Sequence, residues 1–187
     1  MNKENMLEKL HKKIRECNKC SLCENVTHYV PGEGPADADL MFIGEAPGEQ
    51  EDLSGRPFVG RAGELLIEFL NEAGIDREDV FITSVLKCRP PNNRNPQKEE
   101  IESCKPYLER QIEIIEPNVV IPMGNFALKT LLDKNSITKH RGKVFRKDGV
   151  RYIPTYHPAA AVYNANLKNT IIKNFKKIKE RTLMDYL

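Results

Sequence analysis

The chain has 187 residues, 40% of them hydrophobic and 30% charged, which is typical of a globular protein with one core. No apolar run approaches the roughly 18–20 residues of a membrane-spanning helix, and residues 1–16 resemble an amphipathic helix rather than a secretion signal. We therefore expect one domain over residues 1–187, and a cytoplasmic, monomeric protein without membrane contact whose cysteines are reduced or metal-bound.

The net charge of +2 hides a difference in sign between two parts of the chain. Residues 1–117 carry 15 Lys and Arg against 23 Asp and Glu, whereas residues 118–187 carry 14 against 4. The basic C-terminal part is either a solvated helix surface or a face that meets a polyanion such as nucleic acid.

The N-terminal helix leads into a cysteine-rich segment. Cys17, Cys20 and Cys23 form a C-x2-C-x2-C run, and Cys88 and Cys104 follow far downstream. Four thiolates suit a zinc ion or an iron–sulfur cluster. Zinc ribbons usually contain two closely spaced CxxC pairs, and the wide spacing of the second pair here favours a cluster. Buried cysteines without a ligand are the alternative.

Short apolar runs then alternate with longer amphipathic segments. The expected strands span residues 40–44, 80–85, 119–122 and 152–155, with a weaker candidate at 143–146. The expected helices span residues 61–73, 97–115, 125–132 and 167–181. Alternating strands and helices predict an α/β fold, with a short, mainly parallel four-stranded sheet covered on both faces.

Four loops follow the expected strands, and ligands bind beyond the carboxyl ends of strands in such sheets. The loops read GEAPGEQED, KCRPPNNRNP, MGN and YHPAAAVYN, and glycine, proline, asparagine and histidine are frequent in them. We expect them to meet at one edge of the sheet and to form the functional site there.

The first of these loops, residues 44–52, contains four acidic residues and no lysine or arginine. It lacks the GKS or GKT ending of a P-loop and the GxGxxG pattern of a dinucleotide-binding fold. Its backbone amides could instead hold a neutral, planar, polar ligand on which Phe58 stacks. Alternatively, Phe58 is a core residue and the acidic residues form a solvated surface.

His157 follows the fourth expected strand, in the sequence YHPAA. No serine or cysteine pattern accompanies it, which argues against a hydrolase triad. A histidine at this position is either structural or a hydrogen-bond donor to an oxygen on which negative charge develops.

The combination of motifs resembles the family-4 uracil-DNA glycosylases, the iron–sulfur branch of that superfamily. These motifs are GEAPGEQEDLSGRPFVGRAGELL, LKCRPPNNRNP and TYHPAA, with CNKC near the start. The resemblance covers nearly the whole chain and implies a three-layer α/β/α sandwich. It also implies an enzyme that flips uracil out of single- or double-stranded DNA, hydrolyses its N-glycosidic bond and leaves an abasic site.

For the cysteines, the resemblance implies a 4Fe–4S cluster. Its four ligands would be Cys17, Cys20, Cys88 and Cys104, with Cys23 spare. Residues 1–25 would then form an N-terminal helix and a cluster-binding segment.

For the base pocket, the resemblance implies that Gly44, Glu45 and Ala46 lie along the uracil and the attacking water. Phe58 would stack on the base, and His157 would stabilise the charge on uracil O2. Ala46 stands where other superfamily members place an aspartate, so water activation would fall to Glu45 or proceed unassisted.

Ser84 is the one clear departure from the family pattern. Four residues before Cys88, relatives usually place an asparagine, whose amide can donate to uracil O4 and accept from N3–H. A serine hydroxyl can make only one such contact directly. We therefore expect Ser84 to contact uracil through one bond or a bridging water, with weaker activity or broader base tolerance.

Loop position and charge select the residues expected to contact the DNA backbone, which are Arg89, Arg94, Asn125, Arg141 and Asn164, with Asn166.

The alternative functions are a glycosylase for another deaminated base, a uracil-DNA binder without turnover, and an iron–sulfur redox or sensing protein. The segment PNNRNPQ lacks the histidine with which some relatives trap DNA covalently, and a redox protein would leave YHPAA unexplained. No lysine motif marks a Schiff-base nucleophile, so lyase activity is not expected.

Overall fold

Five short strands form the central sheet within residues 2–183, the part of the chain that the computed structural model describes. The strands are β1 (Leu40–Gly44), β2 (Val80–Ser84), β3 (Val119–Pro122), β4 (Phe145–Lys147) and β5 (Val150–Tyr152). They lie in the order β2-β1-β3-β5-β4. As predicted, β1, β2, β3 and β5 run parallel, and β4 pairs antiparallel with β5 at the edge of the sheet.

The prediction of four strands was wrong by one. The weak candidate at residues 143–146 corresponds to the edge strand β4, and β5 begins at Val150, two residues before the expected start. A two-residue turn joins them, with φ of +50° at Asp148 and +81° at Gly149. Asp-Gly is a strong hairpin signal because such turns need positive φ at both positions. The sequence analysis did not use this signal.

Helices flank the sheet on both faces. In residues 2–183 they are α1 (Lys3–Arg15), α2 (Glu49–Ser54), α3 (Arg61–Glu72), α4 (Lys98–Ile115), α5 (Asn125–Leu132), α6 (Ile137–His140), α7 (Ala160–Tyr163) and α8 (Asn166–Leu183). The N-terminal helix and the four longer predicted helices are confirmed as α1, α3, α4, α5 and α8, whereas the short α2, α6 and α7 were not predicted. None of the helices in this range is long and apolar enough to cross a membrane.

The strand side chains divide between two apolar layers, which produces the expected three-layer sandwich. All five residues of β1 are buried. Met41 and Ile43 face a cluster that includes side chains of α1, α4 and α5. Leu40 and Phe42 face the opposite cluster, which contains side chains of α3 and α8. Burial on both faces explains why this strand reads as a continuous apolar run rather than an alternating one.

The parallel strands end at a common edge, which we call the carboxyl edge. Backbone bonds continue the pairing past the strand ends, for example from Val85 N to Gly44 O at 3.0 Å and from Thr155 N to Pro122 O at 2.9 Å. The four loops that follow these strands are therefore held side by side, as the sequence predicted.

Candidate active site

A pocket of about 270 Å³ opens at the carboxyl edge. Its wall includes five of the residues expected to contact the base, namely Glu45, Ala46, Phe58, Ser84 and His157. A larger, more open groove of about 840 Å³ lies beside the β4–β5 hairpin, and none of the predicted site residues lines it. The pocket at the carboxyl edge is therefore the candidate active site.

Gly44, the last residue of β1, lies against the Phe58 ring. A Cβ atom at position 44 would lie 2.6 Å from Cζ of Phe58 and 3.3 Å from Oγ of Ser84. A larger residue would push the ring away, so glycine is required for this packing. Gly44 thus brings the residue expected to stack on the base close to the residue expected to contact its polar edge.

Phe58 belongs both to the core and to the pocket. Its side chain is 7% exposed and packs in the apolar cluster beside α3, while its ring also lines the pocket. The centroids of the Phe58 and His157 rings are 5.6 Å apart, with an angle of 31° between the ring planes. The two alternatives for Phe58, core residue and stacking residue, are therefore compatible.

His157 has a defined hydrogen-bonding state. Its Nδ1 accepts a hydrogen bond from the N–H of Ala159, at 3.2 Å. Desolvation by burial lowers the pKa of His157 to about 4. At neutral pH the ring is therefore uncharged, and because Nδ1 is an acceptor, Nε2 carries the proton and can donate.

Glu45 follows β1 directly and lines the pocket. Its carbonyl accepts a hydrogen bond from Leu86 N at 3.1 Å, which fixes the backbone beside the end of β2. Burial raises the pKa of Glu45 above the usual range of a glutamate. The carboxylate is therefore a stronger base than an exposed one would be.

Ser84 ends β2 and is 5% exposed. Its carbonyl accepts a hydrogen bond from Nζ of Lys87 at 2.7 Å. Lys87 is itself buried and also donates to Thr83 Oγ1 at 2.5 Å and to Gln111 Oε1 at 2.8 Å. Burial lowers the pKa of Lys87 to about 7. This network, which the sequence analysis missed, fixes the end of β2 beneath the pocket.

Glu51 is a second residue that the sequence analysis missed. Its Oε1 accepts hydrogen bonds from the backbone N–H groups of Val59 and Gly60, each at 2.8 Å. Its Oε2 accepts from Gly48 N at 3.1 Å. Glu51 is the third residue of α2, and its bond to the N–H of the N-cap Gly48 is half of a capping box; glycine has no side chain for the other half, so the sequence carries no full capping-box signal here. At least one acidic residue of this loop is therefore structural rather than a solvated surface group.

Arg89 and Arg94, both expected to contact DNA, follow β2 near the mouth of the pocket. Arg94 lines the pocket and binds the buried Glu100 with both Nη atoms, at 3.0 and 2.6 Å. Nε of Arg89 donates to Oδ1 of Asn93 at 2.8 Å. Asn93 also lines the pocket and was not singled out from the sequence.

The remaining residues expected to contact DNA lie on other loops of the carboxyl edge. The guanidinium of Arg141 stacks over the ring of Tyr156 at 5.4 Å, beside the loop that carries His157. Oδ1 of Asn125 accepts a hydrogen bond from the backbone N–H of Ile137, at the start of α6, at 2.8 Å. Oδ1 of Asn164 accepts one from the backbone N–H of Asn166, at the start of α8, at 3.1 Å. These two asparagines therefore have local structural roles.

Tyr163 is the most exposed large apolar side chain among the described residues, at 90%. It lies on α7, in the segment that follows His157. An exposed aromatic ring is suited to stacking on an unpaired base. The sequence analysis did not single out this residue.

Five cysteines from three separate segments line one small cavity between α1 and α4. They are Cys17, Cys20 and Cys23 after α1, Cys88 after β2, and Cys104 within α4. Burial is the main cause of a raised pKa at Cys88, and the neighbouring Cys104 thiol raises that pKa further. Within residues 2–183 no three His, Cys, Asp or Glu side chains are grouped as ligands of a single metal ion. A cluster of four irons spreads its thiolate ligands more widely than one ion does.

Comparison with known proteins gives a consistent result. Residues 31–181 match the model of the uracil DNA glycosylase superfamily. The type-4 uracil-DNA glycosylase of Sulfurisphaera tokodaii is 49% identical, with 93% of this chain and 84% of that protein covered. The type-4 enzyme of Archaeoglobus fulgidus is 46% identical, with 97% and 98% covered. That of Saccharolobus solfataricus is 48% identical, with 93% and 85% covered.

Proposed function

The chain belongs to the uracil-DNA glycosylase superfamily, with the type-4 enzymes, and from this we propose that it removes uracil from DNA by hydrolysing the N-glycosidic bond. The observation that carries the proposal is the pocket in which Glu45, Phe58 and His157 meet. These three side chains can supply a base for water, a stacking surface and a hydrogen-bond donor, which are the groups that the reaction needs.

Substrate binding requires the nucleotide to leave the helix. A base inside a duplex cannot reach the pocket, and extruding it costs a few kcal/mol. Single strands and U·G mismatches have the lowest cost. The extruded uracil would stack on Phe58 with its polar edge towards Ser84, and the exposed ring of Tyr163 would contact the DNA beside it.

Bond cleavage places negative charge on the base and positive charge on the sugar. The electron pair of the C1′–N1 bond leaves with uracil, and the resulting charge is shared with O2. In our proposal Nε2–H of His157 donates to that oxygen. Because the imidazole is uncharged at neutral pH, it acts as a fixed hydrogen-bond donor and needs no prior protonation.

The proposed role of Glu45 is to accept a proton from the attacking water. The water oxygen forms the new bond to C1′, and the proton passes through the carboxylate to the uracil anion. Desolvation makes this carboxylate more basic, and the methyl group of Ala46 offers no alternative base. The products are free uracil and an abasic site.

We further propose that Cys17, Cys20, Cys88 and Cys104 hold a 4Fe–4S cluster, and that Cys23 is not a ligand. Support comes from the convergence of these thiols on one cavity and from the similarity to type-4 enzymes. When bound, the cluster would supply a structural cross-link between the N-terminal segment, the loop after β2 and helix α4.

An oligonucleotide with a single uracil tests the proposed function. Incubation with the protein followed by alkali should break the strand at uracil, whereas the matched thymine oligonucleotide should stay intact. Cleavage of hypoxanthine or xanthine oligonucleotides without cleavage at uracil would favour a glycosylase for another deaminated base. A protein–DNA complex that survives denaturant, without strand breaks, would instead indicate a binder that does not turn over.

A further inference from the structure

The turn that carries Phe58 has an unusual backbone conformation. Phe58 has a φ of +52°, in the left-handed region that bulky residues rarely adopt. Its ring nevertheless has a fixed place between Gly44 and the pocket. Such a conformation persists only where the surrounding structure holds it in place. Two charged side chains provide that support here.

Glu51 holds the turn from its amide side. One carboxylate oxygen binds the N–H groups of the two residues after Phe58, Val59 and Gly60, each at 2.8 Å. Gly60 is also the N-cap of α3, so the carboxylate lies at the N-terminus of a 12-residue helix, where negative charge is favourable. The other oxygen binds Gly48 N and thereby anchors Glu51 to the loop after β1.

Arg77 holds the turn from its carbonyl side. Its Nη1 donates to the carbonyl of Phe58 at 3.1 Å, and its Nη2 donates to that of Pro57 at 2.6 Å. Arg77 is largely buried, does not line the pocket, and lies 4.0 Å from the carboxylate of Glu33. That carboxylate also forms a bidentate ion pair with the exposed Arg56, with both bonds at 2.8 Å.

We propose that Glu51 and Arg77 are positioning residues for uracil excision, which hold the Phe58 turn in its left-handed conformation and thereby fix the ring on which the base stacks. The inference rests on the proposed stacking role of Phe58. Arg77 does not line the pocket, so it influences the base only through Phe58, and replacing it should have little further effect once the Phe58 ring has been removed. Glu51 also lines the pocket, with His157, so most but not all of its effect should pass through Phe58.

Two double-mutant cycles test this coupling. Glu51→Gln removes one acceptor oxygen, and Arg77→Lys keeps the charge but loses the paired donors of the guanidinium. Each variant is prepared alone and together with Phe58→Ala, and kcat/KM is measured on a single-stranded uracil oligonucleotide. Small displacements of a positioned group can cost up to about 10²-fold in rate. We expect at least about tenfold loss for each single variant. In the Phe58→Ala background, Arg77→Lys should cost less than about twofold further, and Glu51→Gln should cost clearly less than it does alone.

Inhibition by free uracil distinguishes positioning from a general loss of folded protein. A lower active fraction reduces the rate but leaves the inhibition constant of uracil unchanged. A displaced Phe58 ring should raise that constant by about tenfold, the equivalent of 1.4 kcal/mol in binding, in both single variants. Arg56→Lys is the matched control, because the exposed Arg56 guanidinium binds the same Glu33 carboxylate rather than the turn carbonyls that Arg77 binds. It should change neither quantity.

The possible outcomes are distinguishable. Normal activity of Phe58→Ala would contradict the proposed stacking role of Phe58 itself. A slow Phe58→Ala enzyme with a fully additive loss from Glu51→Gln or Arg77→Lys would overturn the present inference, because those residues would then act directly or only on folding. Single variants with normal rates and normal uracil inhibition would overturn it as well. Non-additive losses, with a smaller effect in the Phe58→Ala background than in the wild-type protein, together with weaker uracil inhibition in the single variants, would support it.

Discussion

Among single residues, His157 has the most direct predicted effect on the reaction. His157→Ala removes the donor to uracil O2, and loss of one such donor typically lowers the rate by about 10²–10³-fold. DNA affinity should change little, because the histidine contacts only the extruded base. Single-turnover rates and DNA titration measure the two effects. His140→Ala is the control, because His140 lies outside the pocket on α6. A normal rate for His157→Ala would make the residue structural.

Glu45 should determine how the single-turnover rate depends on pH below neutrality. Burial raises its pKa above that of an ordinary glutamate, and only the ionised form accepts a proton from water. The single-turnover rate should therefore fall as the pH drops through that raised pKa, before His157 becomes protonated near a pKa of about 4. Glu45→Gln should lower the plateau and remove this acid limb. An unchanged acid limb in Glu45→Gln would assign it to another group.

Ser84 provides a test of base recognition. A hydroxyl can satisfy one polar contact of uracil, whereas an asparagine amide can satisfy two. Ser84→Asn should therefore raise the rate on uracil or increase discrimination against other deaminated bases. Both proteins are compared on uracil, hypoxanthine and xanthine oligonucleotides. If the serine enzyme is already fast and strictly specific, and the asparagine variant behaves identically, other pocket residues recognise the base.

Between elements, the cysteines are expected to connect segments that are distant in sequence. Cys17 and Cys20 follow α1, Cys88 follows β2 and Cys104 lies on α4, so a shared cluster would cross-link all three. A protein that holds a 4Fe–4S cluster is brown and contains iron, and Cys88→Ala should lose both properties and have a lower thermal unfolding temperature. Cys23→Ala should do neither, although Cys23 lines the same cavity. Iron analysis and thermal melts measure these effects, and a colourless Cys23→Ala protein would change the proposed ligand set.

At the scale of the whole molecule, the separation of charge predicts salt-dependent DNA binding. Residues 118–187 hold 14 basic and 4 acidic residues, and contacts to phosphates release counterions. The logarithm of the affinity should therefore fall linearly with the logarithm of the salt concentration. Arg141→Ala should reduce the slope by about 1, whereas Tyr163→Ala should weaken binding without changing the slope. A flat salt response would exclude the basic region as the DNA-binding face.

The fold followed from the sequence wherever local patterns were sufficient. Apolar runs and helical periodicity identified four of the five strands and the longer helices, because strands buried on both sheet faces read as continuous apolar runs and amphipathic helices repeat with a period near 3.6 residues. The edge strand β4 was only a weak candidate, because two of its three residues are exposed. The Asp148-Gly149 turn would have strengthened that prediction, since it specifies a hairpin through local backbone geometry.

By itself the sequence determined which loops meet, since parallel strands bring their carboxyl ends to one edge, and five of the residues expected to contact the base line the pocket there. Only the tertiary structure decided how those side chains are held. Arg77 reaches the Phe58 carbonyl across 19 residues, and Lys87 reaches Gln111 across 24. Such bonds leave no periodic trace, because their partners are backbone groups or buried side chains whose proximity arises only when the layers pack. The same packing lowers the pKa of His157 by excluding water, and so fixes its uncharged state.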